Sequence, residues 1–496
     1  MPAGQPTAHI TTMNQPSPSV VIPIRKQAPE ADQDIMVSLY EKQIKIYPRS
    51  VSGWYARWRW LMVWLTQAVF YALPWLQWNG RQAVLFDLTE RRFYVLGLVL
   101  HPQDFIYLAA LLVISAMALF FFTAVAGRLW CGYACPQTVY TEIFLWVERR
   151  LEGDRTARMR LDAAPWGLEK LARKSAKQLV WITIGLITGF TFVGYFTPIR
   201  TLLGEAVSLS FSPWEWFWVF FYGFATYGNA GYLREQVCKY MCPYARFQSA
   251  LIDMDSLVIA YDTGRGEARG SRSRKADPKS LGLGDCIDCT LCVQVCPTGI
   301  DIRNGLQNEC IGCAACIDVC DDVMGKMGYD TGLIRYSSGN GIVNAWSPRQ
   351  ILRRVWRPRV LIYGAILLAT SLVFVVSLSL RNGFVVDVIK DRGTLARVVG
   401  KGVVENVYRM QITNGAEQAE QFNISVSGLP GLSIVTPTLL NVDALGIGSM
   451  PVRLVLSPEA AEAYRGQANP IVFEIQTIQS GQTKTTHVKS TFFVPR

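Results

Sequence analysis

"CGYACP", residues 131–136, returns 107 residues later as "CKYMCP", residues 238–243. Both read Cys-x-Tyr-x-Cys-Pro, and each directly follows a long apolar, aromatic-rich run. The same thiol pair at the end of two such runs reads as a parallel internal repeat. Two helical hairpins would each deliver a Cys-x3-Cys-Pro to one face of a membrane. If locally helical, cysteines at i and i+4 share a face. The Pro that follows cannot donate a backbone N–H and reshapes the chain there.

Outward from these pairs, five apolar stretches have spanning length, roughly 60–78, 105–126, 178–196, 214–233 and 360–380. One such run is as readily a buried core helix. Five of them, in a chain half hydrophobic, 18% charged and carrying 15 Trp, predict a membrane protein. Glu215, near the start of the fourth, reads as lying at headgroup level. Charge then orients the spans. Residues 128–177 hold ten Lys/Arg and 234–359 hold 17, against three in 79–104 and one in 197–213. By the positive-inside rule the two basic segments are cytoplasmic, the N-terminus is inside, and the chain beyond residue 380 is outside. This distribution accounts for the net charge of +11 without a nucleic-acid partner.

The twelve cysteines fall in three compact groups: Cys131 with Cys135, Cys238 with Cys242, and eight between Cys286 and Cys320. A disulfide framework would spread them through the chain; clustering points to metal ligation on the reducing side of a membrane. "CIDCTLCVQVCP", from Cys286, is Cys-x2-Cys-x2-Cys-x3-Cys-Pro. "CIGCAACIDVC", from Cys310, repeats the spacing with Asp321 in place of the Pro. Three closely spaced thiolates hold three corners of a cubane, and in two-cluster ferredoxins the fourth comes from the other motif. This assigns Cys286, Cys289, Cys292 and Cys320 to one 4Fe–4S cluster, and Cys310, Cys313, Cys316 and Cys296 to a second. Structural zinc uses separated Cys-x2-Cys pairs and would not need four cysteines per run. For Cys131, Cys135, Cys238 and Cys242, soft thiolates favour Cu(I) or an iron–sulfur cluster, and a redox dithiol is also open. The duplicated motif argues against packing alone.

The remaining chain divides by composition. Residues 1–54 form a polar, partly disordered cytoplasmic arm without the apolar core of a signal peptide. A four-span membrane domain occupies 55–259, a basic linker 260–283, the ferredoxin-type domain 284–335, and a connector with the fifth span 336–380. Within 381–496, runs such as "NVYRMQITN" (406–414) and "NPIVFEIQTI" (469–478) alternate or favour β-formers between Gly, Pro and Asn. They predict an all-β, immunoglobulin-like sandwich, here without cysteine. The expected whole is a multi-domain membrane protein: a five-span helical bundle, a two-cluster insert and a terminal β-sandwich. No G-x-G-x-x-G opens a helix after a strand, so no dinucleotide fingerprint is visible.

"GRLWCGYACPQTVYTEIFLWVERRLEG" (127–153), "GDCIDCTLCVQVCPTGIDIRNGLQNECIGCAACIDVCDDVMGKMG" (284–328) and "GLIRY" (332–336) closely resemble the FixG/RdxA/CcoG family. Its members are bacterial accessory proteins of the cbb-type cytochrome c oxidase. The resemblance implies a multi-pass inner-membrane iron–sulfur protein with cytoplasmic clusters and a periplasmic immunoglobulin-like domain. It implies a role in oxidase maturation, with reduction of Cu(II) to Cu(I) at Cys131, Cys135, Cys238 and Cys242. Copper-delivery and oxidase-assembly proteins would be its partners, and quinol or a soluble reductase its electron donor. Related membrane polyferredoxins keep a second reading in view, a quinol-linked carrier or redox sensor without copper chemistry.

Overall fold

The computed structural model describes residues 45–496 except 382, 392–395, 401, 480 and 481. The expected polar arm therefore lies, up to residue 44, outside the described residues. The membrane region is built from α1 (Trp54–Ala72), α2 (Phe105–Ala126), α3 (Leu129–Tyr133), α4 (Pro136–Glu152), α5 (Arg155–Ala163), α6 (Leu168–Val193), α7 (Ile199–Ser208), α8 (Pro213–Gly228) and α9 (Pro243–Leu251). A last long helix, Pro358–Ser379, packs along α2.

Among the described residues, three helices are long and apolar enough to cross a membrane: α2, α6 and Pro358–Ser379. The other two expected spans come out differently, for local reasons. α1 begins earlier than the apolar run and so includes Arg57 and Arg59, and it gives way to a 3-10 turn at Leu73–Trp75, where Pro74 lacks a donor. α8 is 16 residues long, because Pro213 sets its start and the chain passes into π-helical turns at Asn229–Leu233 and Val237–Met241. Glu215 has a second explanation here. It is the third residue of a capping box, its carboxylate accepting from Ser212 N at 2.8 Å while Ser212 Oγ accepts from Glu215 N at 3.3 Å.

α6 and α8 pack backbone to backbone. A Cβ on Gly185 would lie 2.7 Å from the Gly223 carbonyl oxygen, and one on Gly189 only 2.2 Å from that of Val219. Small residues at four-residue spacing bring helices this close, which suits apolar surroundings where dispersion must hold them together. Trp181 of α6 stacks on Phe144 of α4, with ring centroids 5.0 Å apart.

The ferredoxin region is closed by an antiparallel strand pair, Val258–Tyr261 with Ile334–Ser337. The chain thus enters this unit before the basic stretch rather than after it. That stretch folds back onto the clusters' loops: Arg272 donates to the carbonyls of Gly284 (2.7 Å) and Cys286 (3.4 Å). The helix Ala315–Met327 supplies the unit's spine, and its Asp318 carboxylate accepts from Tyr55 N (3.1 Å) and Ala56 N (2.7 Å). A remote side chain therefore caps α1, which has no cap of its own.

Beyond residue 383 the chain is a sandwich of two antiparallel sheets. One orders Leu432–Ile434, Ile447–Leu456, Val403–Asn414 and Phe384–Lys390, with Arg397–Val399 paired to the third. The other orders Leu439–Val442, Glu420–Ser427, Ala468–Gln479 and Gln482–Phe493. Tyr408, Phe422, Phe473 and Phe492 are fully buried between them and hold the sheets without a disulfide. At its base Arg381 pairs with Asp104, just before α2, and donates to the Val99 carbonyl at 3.0 Å.

Gly189→Ala is expected to lower stability by about 1–3 kcal/mol, since the Val219 carbonyl cannot yield without parting the helices. Gly204→Ala, with nothing within 4 Å of its added methyl, is expected to leave it unchanged or slightly raised. Thermal unfolding in detergent separates the two.

Candidate metal centre

Each Cys-x2-Cys-x2-Cys run turns its thiols to one side by the same backbone device. Asp288 (φ 52°) and Thr290 (φ 57°) are left-handed in the first run; Gly312 (φ 70°) and Ala314 (φ 59°) occupy the matching positions of the second. Three of the four carry side chains, for which this region is unfavourable and is held only by its surroundings. Spacing alone does not predict this.

Two chambers result. Cys286, Cys289, Cys292 and Cys320 line one, with Leu333 and Ile334 among its walls. Cys296, Cys310, Cys313 and Cys316 line the other, where Cys292 also reaches the edge and Ile300 and Ile311 close it. The exchange of fourth cysteines has a simple geometric origin. Cys316 and Cys320 lie one turn apart on Ala315–Met327, and that turn carries Cys320 beyond the second chamber, which Cys316 lines, into the first. Only Cys289 of the eight is exposed.

The donor chemistry fits iron–sulfur clusters. Thiolates on one zinc would stand ~3.8 Å apart. Among the described residues no three Cys, His, Asp or Glu side chains converge on a point in that way. The thiols line walls instead, as a cluster with separated corners needs. Burial pushes the Cys292 thiol up to about 11 and those of Cys310 and Cys320 up to about 12. Binding a cluster must therefore displace protons, and the buried thiolates gain their stability from the metal.

The four membrane thiols sit at helix junctions. Cys131 lies in α3 and Cys135 is the N-cap of α4; Cys238 lies in the second π turn and Cys242 is the N-cap of α9. Pro136 and Pro243 each start a new helix, which leaves Cys135 (ψ 128°) and Cys242 (ψ 111°) extended. The shared helical face is therefore not formed; the thiols approach one another across junctions. Burial pushes Cys131 up to about 11 and Cys238 up to about 12, and each is raised further by the neighbouring thiols, Cys242 included. The fully buried Gln248 amide lies 3.4 Å from Cys131 Sγ. Gln137 of α4 donates to the carbonyls of Asn229 (2.9 Å) and Arg234 (3.1 Å), tying α4 to the π-turn segment.

These thiols rest on the second chamber. Cys131 and Cys238 pack against Cys313, Ile311 and Ala315. Between them, a Cβ on Gly132 would lie 2.8 Å from the Gly312 carbonyl and 2.9 Å from Cys313 Cα, so only glycine fits. Arg59 Nη1 donates to the Cys313 carbonyl (2.8 Å), and Tyr336 Oη to that of Gly312 (2.7 Å) while standing 3.4 Å from Tyr133 Oη. The motif tyrosine of the first pair therefore faces the ferredoxin loop, whereas Tyr240 of the second is 72% exposed. Gly132, Arg59 and Tyr336 are not legible from motif spacing: Gly132 is not shared with the second motif, where Lys239 stands, and the other two lie outside the cysteine runs.

Nearby, Glu148 gathers Arg158 (2.8 Å), Arg234 (2.6 Å) and Lys177 (3.7 Å), and Glu152 gathers Lys174 (3.0 Å) and Lys177 (2.9 Å). Burial alone would raise the Glu148 carboxyl; Arg234 and the other cations hold it below its ordinary value.

Comparison with known proteins agrees with this architecture. The family model of a 4Fe–4S dicluster domain matches residues 233–339, and that of a 4Fe–4S binding domain matches 108–153. The Ig-like fold at the C-terminus of FixG matches 374–495. The chain is 39% identical over 427 residues to the nitrogen fixation protein FixG of Rhizobium meliloti (strain 1021), covering 80% of this chain and 82% of that one. It is 38% identical over 439 residues to protein RdxA of Cereibacter sphaeroides (86% and 92%) and 40% over 405 residues to its protein RdxB (80% and 85%). A crystal structure of a FixG-related protein from Vibrio parahaemolyticus aligns at 22% identity and a TM-score of 0.20, covering 23% of this chain and 97% of that one. With cluster-binding domains and relatives of this length and identity, the chain is an iron–sulfur electron-transfer protein and belongs to the FixG/RdxA/CcoG family.

Proposed function

We propose that this protein reduces Cu(II) to Cu(I) at Cys131, Cys135, Cys238 and Cys242, in the maturation of a cbb-type cytochrome c oxidase. One observation carries the reading: Cys131 and Cys238 pack against the buried cluster of Val295, Ile311, Cys313, Ala315 and Val319, three of which also line the second chamber. Cys286, Cys289, Cys292 and Cys320 hold one 4Fe–4S cluster, and Cys296, Cys310, Cys313 and Cys316 the other. When bound, such clusters supply one-electron storage. The membrane thiols then do two things. They bind the substrate ion, and by preferring Cu(I) over Cu(II) they make its one-electron reduction easier. Copper-delivery and oxidase-assembly proteins would receive the product. A specific observation favours a second reading: a 4Fe–4S binding domain matches 108–153, whose cysteines are Cys131 and Cys135. The four membrane thiols would then hold a third cluster, and the protein would be a carrier.

Contacts support five crossings of a bacterial inner membrane. Asp318 holds the start of α1, Leu257 N donates to Val125 O at the end of α2, and Gly132 abuts Gly312; all three lie on the ferredoxin side. Arg357, at the start of the last long helix, also binds there, to Asp253 (2.7 Å) and the Ala124 carbonyl (2.7 Å). α1 and α2 must therefore cross as a pair, and so must α6 and α8, leaving the last helix to carry the sandwich across. The basic loops support a reading with the clusters in the cytoplasm and the sandwich in the periplasm.

Three outcomes test this. Removing Cys131 and Cys135 is expected to abolish copper binding and Cu(II) reduction as fully as removing all four membrane cysteines, because shared ligands are non-additive. Metal analysis of anaerobically purified protein decides: copper lost and roughly eight irons retained supports reduction, a drop from roughly twelve irons to eight supports the third cluster, and no change in either refutes both. Cys320→Ser is expected to damage the cluster of Cys286, Cys289 and Cys292, and Cys296→Ser the other, read by electron paramagnetic resonance; the reverse pattern ends the crossed assignment. Reporters fused after residues 160 and 390 are expected to score cytoplasmic and periplasmic.

A further inference from the structure

We propose that buried charge grades the two clusters, so that electrons run from the Cys286 centre to the Cys310 centre beside the membrane thiols. This rests on the two-cluster reading above.

The two chambers differ in their fixed charges. Beside the second stand two buried arginines from outside the ferredoxin unit, Arg59 of α1 and Arg128 between α2 and α3, each 8% exposed. Arg59 donates to the Cys313 carbonyl, and its Nε is buried without a partner. Arg128 lines a cleft with Cys310 and Gly312 and donates to the Ala245 carbonyl at 2.7 Å. Among the described residues neither forms an ion pair. Glu142 and Asp318 are the carboxylates that bear on Arg59, and both have other partners: Asp318 caps α1, and Glu142 lies 3.5 Å from Arg149. Both guanidiniums act on this chamber's thiols, Arg59 on Cys313 and Arg128 on Cys310.

The first chamber has the opposite balance. Its one lining cation, Arg303, is held between two carboxylates, Asp288 and Asp301 (2.7 Å). Asp321 directly follows Cys320 and accepts from Gly332 N at 2.8 Å. It occupies the position where the first motif has Pro297, so the departure from the motif adds a negative charge to the Cys286 centre. Arg265 pairs with Asp285, and Arg272, which donates to the Cys286 carbonyl, is only half-buried, so solvent screens it where Arg59 and Arg128 are enclosed. Reduction adds an electron, so a nearby cation raises a cluster's potential and a nearby carboxylate lowers it. Arg59 and Arg128 stabilise the extra electron at the Cys310 centre; Asp321 opposes it at the Cys286 centre. One electron leaves the latter as one enters the former, with no proton moved. An external one-electron donor refills the Cys286 centre, and the exposed Cys289 marks the edge where it is reached.

The test is a redox titration of the full chain in detergent, followed by electron paramagnetic resonance, with Cys320→Ser and Cys296→Ser identifying the two signals. In the unaltered protein the Cys310 centre is expected at the higher potential. Arg59→Gln and Arg128→Gln are each expected to weaken its reduction about tenfold, a fall of about 59 mV for one electron, and to leave the other centre in place. Arg59→Lys is expected to restore most of the shift, and Asp321→Asn to raise only the Cys286 centre. Arg57→Gln, an exposed charge on the same helix, is expected to move neither. Equal shifts at both centres, no shift, or a higher potential at the Cys286 centre would overturn the proposal. Iron content is read in parallel. Fewer than two clusters in the unaltered protein would instead refute the underlying reading, and if Arg59→Gln alone loses iron, Arg128→Gln decides.

Discussion

The contact of Gly132 with the Gly312–Cys313 backbone constrains the rest of this structure. A methyl at Gly132 would overlap the opposing carbonyl, so the two loops meet without side chains between them. That closeness does three things. It packs Cys131 and Cys238 against residues that line a cluster chamber. It obliges the loop after α2 and the ferredoxin unit to share one membrane face. It also sets Gly132 at the edge of a pocket that Arg59, Glu142, Cys238 and Cys313 line. Tyr336, hydrogen-bonded to the Gly312 carbonyl, and Arg59, bonded to that of Cys313, fix the ferredoxin side of the contact.

Around this contact the protein keeps charges in places where they are expensive. Burying a guanidinium without a carboxylate is unfavourable unless something else compensates. The Glu148 and Glu152 network is compensated internally by four cations. Arg59 and Arg128 form no ion pair among the described residues and bear instead on Cys313 and Cys310, thiols that carry negative charge once they ligate a metal. The apoprotein and the loaded protein therefore differ in electrostatic balance. Cluster binding relieves the buried arginines, just as it stabilises thiolates that burial would otherwise keep protonated.

The opposite end of the molecule follows different rules. The sandwich relies on aromatic and aliphatic packing, with Tyr408 against Phe473 at 5.2 Å and the Tyr408 hydroxyl bonded to the Thr491 carbonyl. It meets the bundle through a few polar links, Arg381 with Asp104 and Arg81 with Glu417, and through Leu445 on the small sheet around Leu85 and Tyr94.

Sequence by itself determined what depends on local spacing. Three-residue steps between cysteines identified the cluster loops, because a tight loop is the only way to present thiols so close together. Alternating apolar residues identified the sandwich, because strands have a period of two. Hydropathy found α2, α6 and the last long helix, since lipid demands an unbroken apolar run. It misjudged α1 and α8, whose limits are set by arginines at one helix start, by Pro74, by Pro213 and by π turns rather than by hydrophobicity. Tertiary structure alone decided the rest. Which cysteines share a chamber depends on how Ala315–Met327 lies between two loops, and the spacing could only suggest it by analogy. Arg59 and Arg128 come from segments far from the eight cysteines, so no local pattern marks them. Gly132 looked like one of many glycines until another backbone was found against it; a residue whose function is to be absent cannot be read without its neighbour.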